Sequence, residues 1–151
     1  MSKNILVFRT DRIGDLLLTC PSIKTIKEHS PDSKLSIVTS EKNFSYAKTF
    51  GFFDKVYLFP KSSILKKIKL FNELSKKRFD YIFIFDGKDR SILISSFLKS
   101  EKKVSKIVNK KQAFFCKLFK IKFSYDIFGK DLNNLHQDLL NYSDISKKIE
   151  N

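Results

Sequence analysis

Short, continuous runs of apolar β-forming residues alternate with segments of helical spacing at least four times along this chain. That alternation restricts the fold more than any other feature. Asn4–Phe8, Leu35–Thr39, Lys55–Phe59 and Phe79–Phe85 read as strands, and Lys102–Val108 as a fifth. The runs are uninterrupted rather than apolar at every second residue, as strands covered on both faces should be. Strands separated by helices cannot pair as tight hairpins, so the pattern predicts a mostly parallel sheet with helices on both faces.

The segments between them carry helix signals. From Ile13 the apolar residues Leu16, Leu17, Cys20, Ile23 and Ile26 recur at helical spacing until His29-Ser30-Pro31. Pro21 interrupts this segment, so either the helix kinks there or its regular part starts near Thr19. A second helix spans Glu41 to Phe50 and stops at Gly51. Ser62 or Ser63 can cap a third, with Ile64, Leu65, Ile68, Phe71 and Leu74 opposite lysines. Ile92–Leu98, Gln112–Phe119 and Leu132–Lys148 complete the series. The fold class is α/β, a Rossmann-like sheet, and 151 residues predict one domain.

The formal charge of +14 and pI near 9.8 favour anionic partners, but 26 of the 30 cations are lysines. Generic solubilising lysine explains such a total equally well. The four arginines carry more information. Arg9, Arg12 and Arg90 fall in segments directly after predicted strands, where sheets of this class bind ligands. Arginine grips phosphate or carboxylate at two points, which lysine cannot. The same loops hold Asp11, Asp15, Asp86 and Asp89, so internal pairing is the competing reading.

Gly14-Asp15 opens the first helix. Glycine lets a ligand approach the backbone, and a first-turn carboxylate is favoured by the helix dipole. Asp15 can therefore take a proton from a substrate hydroxyl, or serve merely as a first-turn acid. The dinucleotide glycine fingerprint and the P-loop are both missing from the sequence.

Ile5-Leu-Val-Phe-Arg9-Thr10-Asp11-Arg12-Ile-Gly14-Asp15-Leu-Leu-Leu-Thr19-Cys-Pro21 resembles the opening of glycosyltransferase family 9, the lipopolysaccharide heptosyltransferases. Pro31-Asp32 resembles the family's aromatic-Pro-Asp turn. Phe79-Asp80-Tyr81, followed by Asp86-Gly87-Lys88-Asp89-Arg90-Ser91, resembles its Tyr-Asp strand and the loop after it. His136 before Leu139-Leu140 sits where the family often has a His-led helix.

The resemblance implies the N-terminal, acceptor-side domain of a GT-B type glycosyltransferase. Such an enzyme transfers heptose from ADP-heptose, with inversion and without metal, to an anionic lipid-linked sugar. Asp15 would be the base. Arg9, Thr10, Asp11, Arg12, Gly14, Asp86, Gly87 and Arg90 would bind substrate. The charged Arg9–Arg12 loop departs from the Ser-rich loop typical of the family and leaves the acceptor open. Family members are about twice as long, so residues 1–151 are expected to lack the donor-binding domain and to need one, in a separate partner, for activity. The alternative is a non-catalytic basic module that binds phosphosugar or anionic membrane, with nucleic acid a weaker third choice.

Between Lys99 and Lys122 stand nine lysines and one acid, Glu101. Phe114, Phe115, Leu118 and Phe119 interleave with lysines there, as in helices that lie on anionic bilayers or, more plainly, in core helices with a solvated side. His29 reads as a helix-end residue, and no Cys/His/Asp spacing suggests a metal site. Cys20 and Cys116, both among apolar residues, read as buried free thiols. With no signal peptide and no run of ~18 apolar residues, a cytoplasmic protein is expected, at most peripheral at the inner face of the membrane.

Overall fold

The computed structural model describes residues 2–125. Six strands are present: β1 Asn4–Arg9, β2 Lys34–Ser40, β3 Lys55–Phe59, β4 Arg78–Ile84, β5 Lys99–Ile107 and β6 Lys122–Tyr125. They pair in the order β3-β2-β1-β4-β5-β6, and every pair is parallel. Five helices make the crossovers: α1 Ile13–His29, α2 Glu41–Thr49, α3 Ile64–Ser75, α4 Asp89–Ser96 and α5 Lys110–Leu118. The chain winds outward from β1 to β3, returns to the other side of β1, and winds outward again. The Rossmann-like α/β expectation is met.

Strand pleat divides the core into two layers. Ile5 and Val7 of β1 face the layer of α1 and α2, with Tyr81, Phe83 and Phe85. These three aromatic rings stack in a column, with centroids 6.1 and 5.8 Å apart. Leu6 and Phe8 face the other layer, against Leu70 and Leu74 of α3, Ile92 of α4, and Ala113 and Cys116 of α5. Register aligns Ile5 with Tyr81 and Phe8 with Ile84, while Arg9 lies level with Thr39 of β2. The carboxyl ends of β1, β2 and β4 therefore finish at one edge.

Helix α1 runs unbroken through Pro21. Its inward face is Leu16, Thr19, Ser22, Ile23 and Ile26, whereas Pro21 is exposed. The hydrogen bond that proline cannot donate is thus lost on the solvent side, where water can replace it. Ser63 caps α3 by accepting from Lys66 N, and Asn109 caps α5 by accepting from Gln112 N. Strand β5 begins three residues earlier than its apolar run, and the edge strand β6 was not expected at all.

Cys20 and Cys116 are free, Cys116 buried and Cys20 only partly so. Burial pushes the Cys116 thiol up to about 11 and raises that of Cys20 as well. Among the described residues no helix is long and apolar enough to cross a membrane. The expected helix 132–148, with His136, lies outside the described residues.

The aromatic column implies a measurable dependence. Phe83 is fully buried in its middle. Phe83→Ala should lower the unfolding free energy by about 3–5 kcal/mol, read as a reduced urea midpoint at unchanged slope.

Candidate functional site

Helix α1, after β1, covers one sheet face, while α4, after β4, covers the other. Adjacent strands whose connections leave in opposite directions open a crevice at their carboxyl ends. The loops after β1 and β4 meet there. They contain nearly every residue singled out from the sequence.

Arg9 is the last residue of β1, and its side chain is wholly buried. Nη1 donates to Phe85 O at 2.6 Å and lies 3.3 Å from Asp11 Oδ2. Nη2 donates to Asp15 O at 3.0 Å and lies 3.7 Å from Asp15 Oδ1. A guanidinium removed from water must find such partners. In place of the anion contact expected of it, Arg9 presents no surface to a ligand. Internal pairing is what the structure shows.

Asp86 performs the reciprocal task from β4. Its Oδ2 accepts from Thr10 N at 3.0 Å, Thr10 Oγ1 at 2.6 Å and Ser91 Oγ at 2.7 Å, and its Oδ1 accepts from Lys88 N at 3.1 Å. Both Thr10 and Asp86 are buried. Gly87 is buried too, at φ +59°, where an added Cβ would stand 3.3 Å from the Lys106 side chain. Thr10, Asp86 and Gly87 thus hold the two loops together rather than line an open surface. Arg90 locks the assembly from outside. It donates to Thr10 O at 2.9 Å and Thr10 Oγ1 at 3.0 Å, and its guanidinium lies 5.1 Å from the Phe59 ring centroid.

Asp11 is mostly buried. Its backbone O accepts from Ser40 Oγ and Asn43 Nδ2, which tie the loop to β2 and α2. Burial pushes its carboxyl up to about 6; Arg9 opposes the rise, and the charges of Asp86 and Asp15 add to it. One carboxylate oxygen, Oδ1, is buried with no hydrogen-bond partner among the described residues.

Besides the exposed Arg90, three expected residues remain accessible at the crevice. Asp15, in the first turn of α1, has a side chain 32% exposed with Arg9 behind it. Gly14 is exposed, and nothing lies within 4 Å of where a Cβ would stand. Arg12 is exposed and makes no side-chain hydrogen bond or ion pair among the described residues. The sequence reading missed Ser40, Asn43, Ser91 and Gln112. Gln112 Nε2 reaches Gly87 O at 3.1 Å and also bonds Asp89. Their signal was positional: Ser40 ends a strand, and Asn43, Ser91 and Gln112 each stand in the first turn of the helix that follows one. Among the described residues no group of three His, Cys, Asp or Glu side chains is placed to hold a metal.

No family model and no curated protein matches the chain. Solved structures do. The E. coli heptosyltransferase WaaC with ADP superposes on 93% of this chain at TM-score 0.68 and 18% identity, using 46% of its own length. A glycosyl transferase family 9 protein from Veillonella parvula covers 95% at TM-score 0.70 and 15% identity, using 41% of its length. An E. coli ADP-heptose lps heptosyltransferase II gives 92%, 0.67 and 15%, with 40% of its length. These likenesses establish a shared fold, and the chain spans less than half of each structure.

The two glycines should respond oppositely to alanine. Gly14→Ala adds a methyl group to open space in a helix and should leave the thermal midpoint equal or slightly higher, with a gain of up to ~1 kcal/mol. Gly87→Ala forces a Cβ into a left-handed turn against Lys106 and should cost at least about 1–2 kcal/mol.

Asp11 yields a pH dependence. Its folded pKa of about 6 exceeds the unfolded 3.8, so between those values the folded chain binds more protons. Stability from this group therefore falls as pH rises from about 4 to 6. Compared with Asp11→Asn, the unmodified chain should lose up to about 3 kcal/mol of urea stability between pH 4 and 7. Parallel pH profiles for the two proteins would show that Asp11 does not titrate this way.

Proposed function

We propose that this chain is the acceptor-side half of an inverting glycosyltransferase of the family 9 type. The observation that carries the reading is the setting of Asp15: first turn of α1, at the end of a central strand, beside the β4 loop, partly exposed, with Arg9 buried behind it. The fold shared with three heptosyltransferase or family 9 structures supports it, as do the sequence motifs in the same two loops.

In this reading the acceptor hydroxyl lies against the Asp15 carboxylate. The carboxylate takes the hydroxyl proton as the oxygen attacks the anomeric carbon of the donor sugar. The bond from that carbon to the nucleoside diphosphate breaks on the opposite side, so the configuration inverts. Arg9 acts as a positioning residue: its bond to Asp15 O fixes the start of α1, and its charge lies 3.7 Å from Asp15 Oδ1. Arg12 is the exposed crevice guanidinium with no hydrogen bond or ion pair among the described residues, and it meets an anionic group of the acceptor. Arg90, engaged with Thr10, orders the crevice wall. The donor is ADP-heptose or a similar nucleotide sugar, bound by a second half that supplies the rest of the cleft.

A second reading has its own support in the exposed Arg12, whose guanidinium has no hydrogen bond or ion pair among the described residues. It is a module that binds phosphosugar and turns nothing over.

The test combines the chain with a donor-binding half, ADP-heptose and a phosphorylated saccharide acceptor, and follows sugar transfer. Asp15→Asn should cut kcat by about 10²–10⁴ at an unchanged thermal midpoint. Arg12→Gln should raise the acceptor KM by roughly tenfold with kcat little altered. An undiminished rate in Asp15→Asn would overturn the assignment of the base. Saccharide binding without any transfer would favour the binding module.

A further inference from the structure

Helices α3, α4 and α5 share one face of the sheet, and that face carries most of the outward apolar bulk of the described residues. Among the described residues, seven of eleven exposed large apolar side chains stand on these helices or directly after them. The group between α4 and α5 is the most sharply formed. Phe114 and Leu118 of α5 are 70% and 65% exposed, and Leu93 and Phe97 stand out from the α4 side. A groove of about 600 Å³ lies between α4 and α5, with Leu93, Phe114 and Phe115 in its walls and Arg90, Lys111 and a single acid, Asp89, also lining it. Phe97 packs edge-on to Phe119, and Phe119 against Phe115, with centroids 5.5 and 4.6 Å apart. The apolar surface is thus held by its own aromatic packing.

The charge pattern identifies what this face is built to meet. Gln112, Ala113 and Cys116 point α5 into the protein. On the outward stripe Lys110, Lys111, Phe114, Lys117 and Leu118 recur at spacings of three and four. A merely solvated face would carry the lysines without the large apolar groups. A dry protein interface would carry the apolar groups without the lysines. The two together suit a partner with a negative skin over an apolar interior.

We propose that the α4–α5 face docks onto an anionic lipid bilayer. Leu93, Phe97, Phe114 and Leu118 enter the boundary between headgroups and acyl chains. The lysine stems run along them and keep their ammonium groups among the phosphates. A nucleic acid would engage the lysines and stack on Phe114 but leave Leu93 and Leu118 in water. A second copy of a chain of charge +14 would set like charges face to face. Arg90 both lines the groove and bonds Thr10, so docking brings the crevice between β1 and β4 to headgroup level. This inference stands on the surface alone and does not need the transfer reaction.

Flotation of the 151-residue chain with phosphatidylcholine vesicles, with and without phosphatidylglycerol, tests it. Binding is expected only when phosphatidylglycerol is present. The double variant Phe114→Ser, Leu118→Ser should weaken partitioning by roughly tenfold or more, since it removes two apolar insertions. The triple Lys110→Gln, Lys111→Gln, Lys117→Gln should weaken it by about a hundredfold, at roughly fivefold per lysine. Replacing Lys24, Lys42 and Lys48, which lie on α1 and α2 across the sheet, changes the net charge equally and should cost about twofold or less.

No vesicle binding would overturn the proposal. So would equal losses from the two lysine triples, or indifference to the Phe114 and Leu118 changes, since both mean unspecific attraction. Sedimentation showing a dimer that the double variant dissolves would assign the face to a second copy. A clearly lowered thermal midpoint in that variant would assign it to the chain's own residues.

Discussion

The guanidinium of Arg9 is the constraint from which the crevice is built. It is the largest fully buried side chain of the described residues, at the end of the strand where the sheet changes winding direction. Isolating such a charge from water would cost several kcal/mol, so the surroundings must answer it with acceptors. They do so from three directions: Phe85 O beyond β4, Asp15 O in α1, and the Asp11 carboxylate in the loop between. The segment after β4, the loop after β1 and the first turn of α1 are thereby held at fixed positions. Asp86 then closes the circuit from the other strand by taking Thr10 N and Oγ1. Ser40 and Asn43 on Asp11 O, and Arg90 on Thr10 O, complete the restraint of the β1 loop.

This economy explains why the site was only half legible in the sequence. The sheet followed from apolar runs that are unambiguous wherever both faces are covered, as in Asn4–Phe8 and Phe79–Phe85. It was least legible at its far edge. Lys122–Tyr125 offers four residues of mixed character, and the first half of β5, from Lys99, is polar and only half-buried or exposed. In the loops, residue type and position sufficed to collect Arg9, Thr10, Asp11, Asp86 and Arg90 at one edge. Their roles depended on burial. A charged residue after a strand reads as an outward contact, yet a hydrogen-bond circuit with Phe85 O and Asp15 O can hold it entirely inside. No periodicity reports such a circuit, since its partners are backbone oxygens that every sequence possesses. Pro21 shows the converse: its effect on α1 depends on which way that turn faces.

Burial also sets three acidic residues of the crevice in three different states. Asp86 is surrounded by donors and has each oxygen satisfied. Asp11 has lost its solvent without gaining a full set of partners, and burial raises its carboxyl despite the neighbouring Arg9. Asp15 keeps part of its solvent and a cation behind it. Of the three, only Asp15 combines solvent access with restraint of its own backbone. Chemical suitability here comes from unequal exposure of similar groups a few residues apart, not from the presence of a carboxylate as such.

The two sheet faces are unequal in a related way. Helices α1 and α2 bring Asp15 and the ties to Asp11 O. Helices α3 to α5 bring a second core layer and the exposed apolar and basic surface. The parallel strand order makes these properties meet, because every strand delivers its carboxyl end to the same edge and α1 and α4 leave that edge on opposite faces. Arg90 stands at the junction, bonded to Thr10 on the crevice side and lining the groove on the other. A partner that engaged the groove would therefore press on a side chain that also fixes the β1 loop. Such coupling needs no long pathway through the protein, only one guanidinium shared by two surfaces.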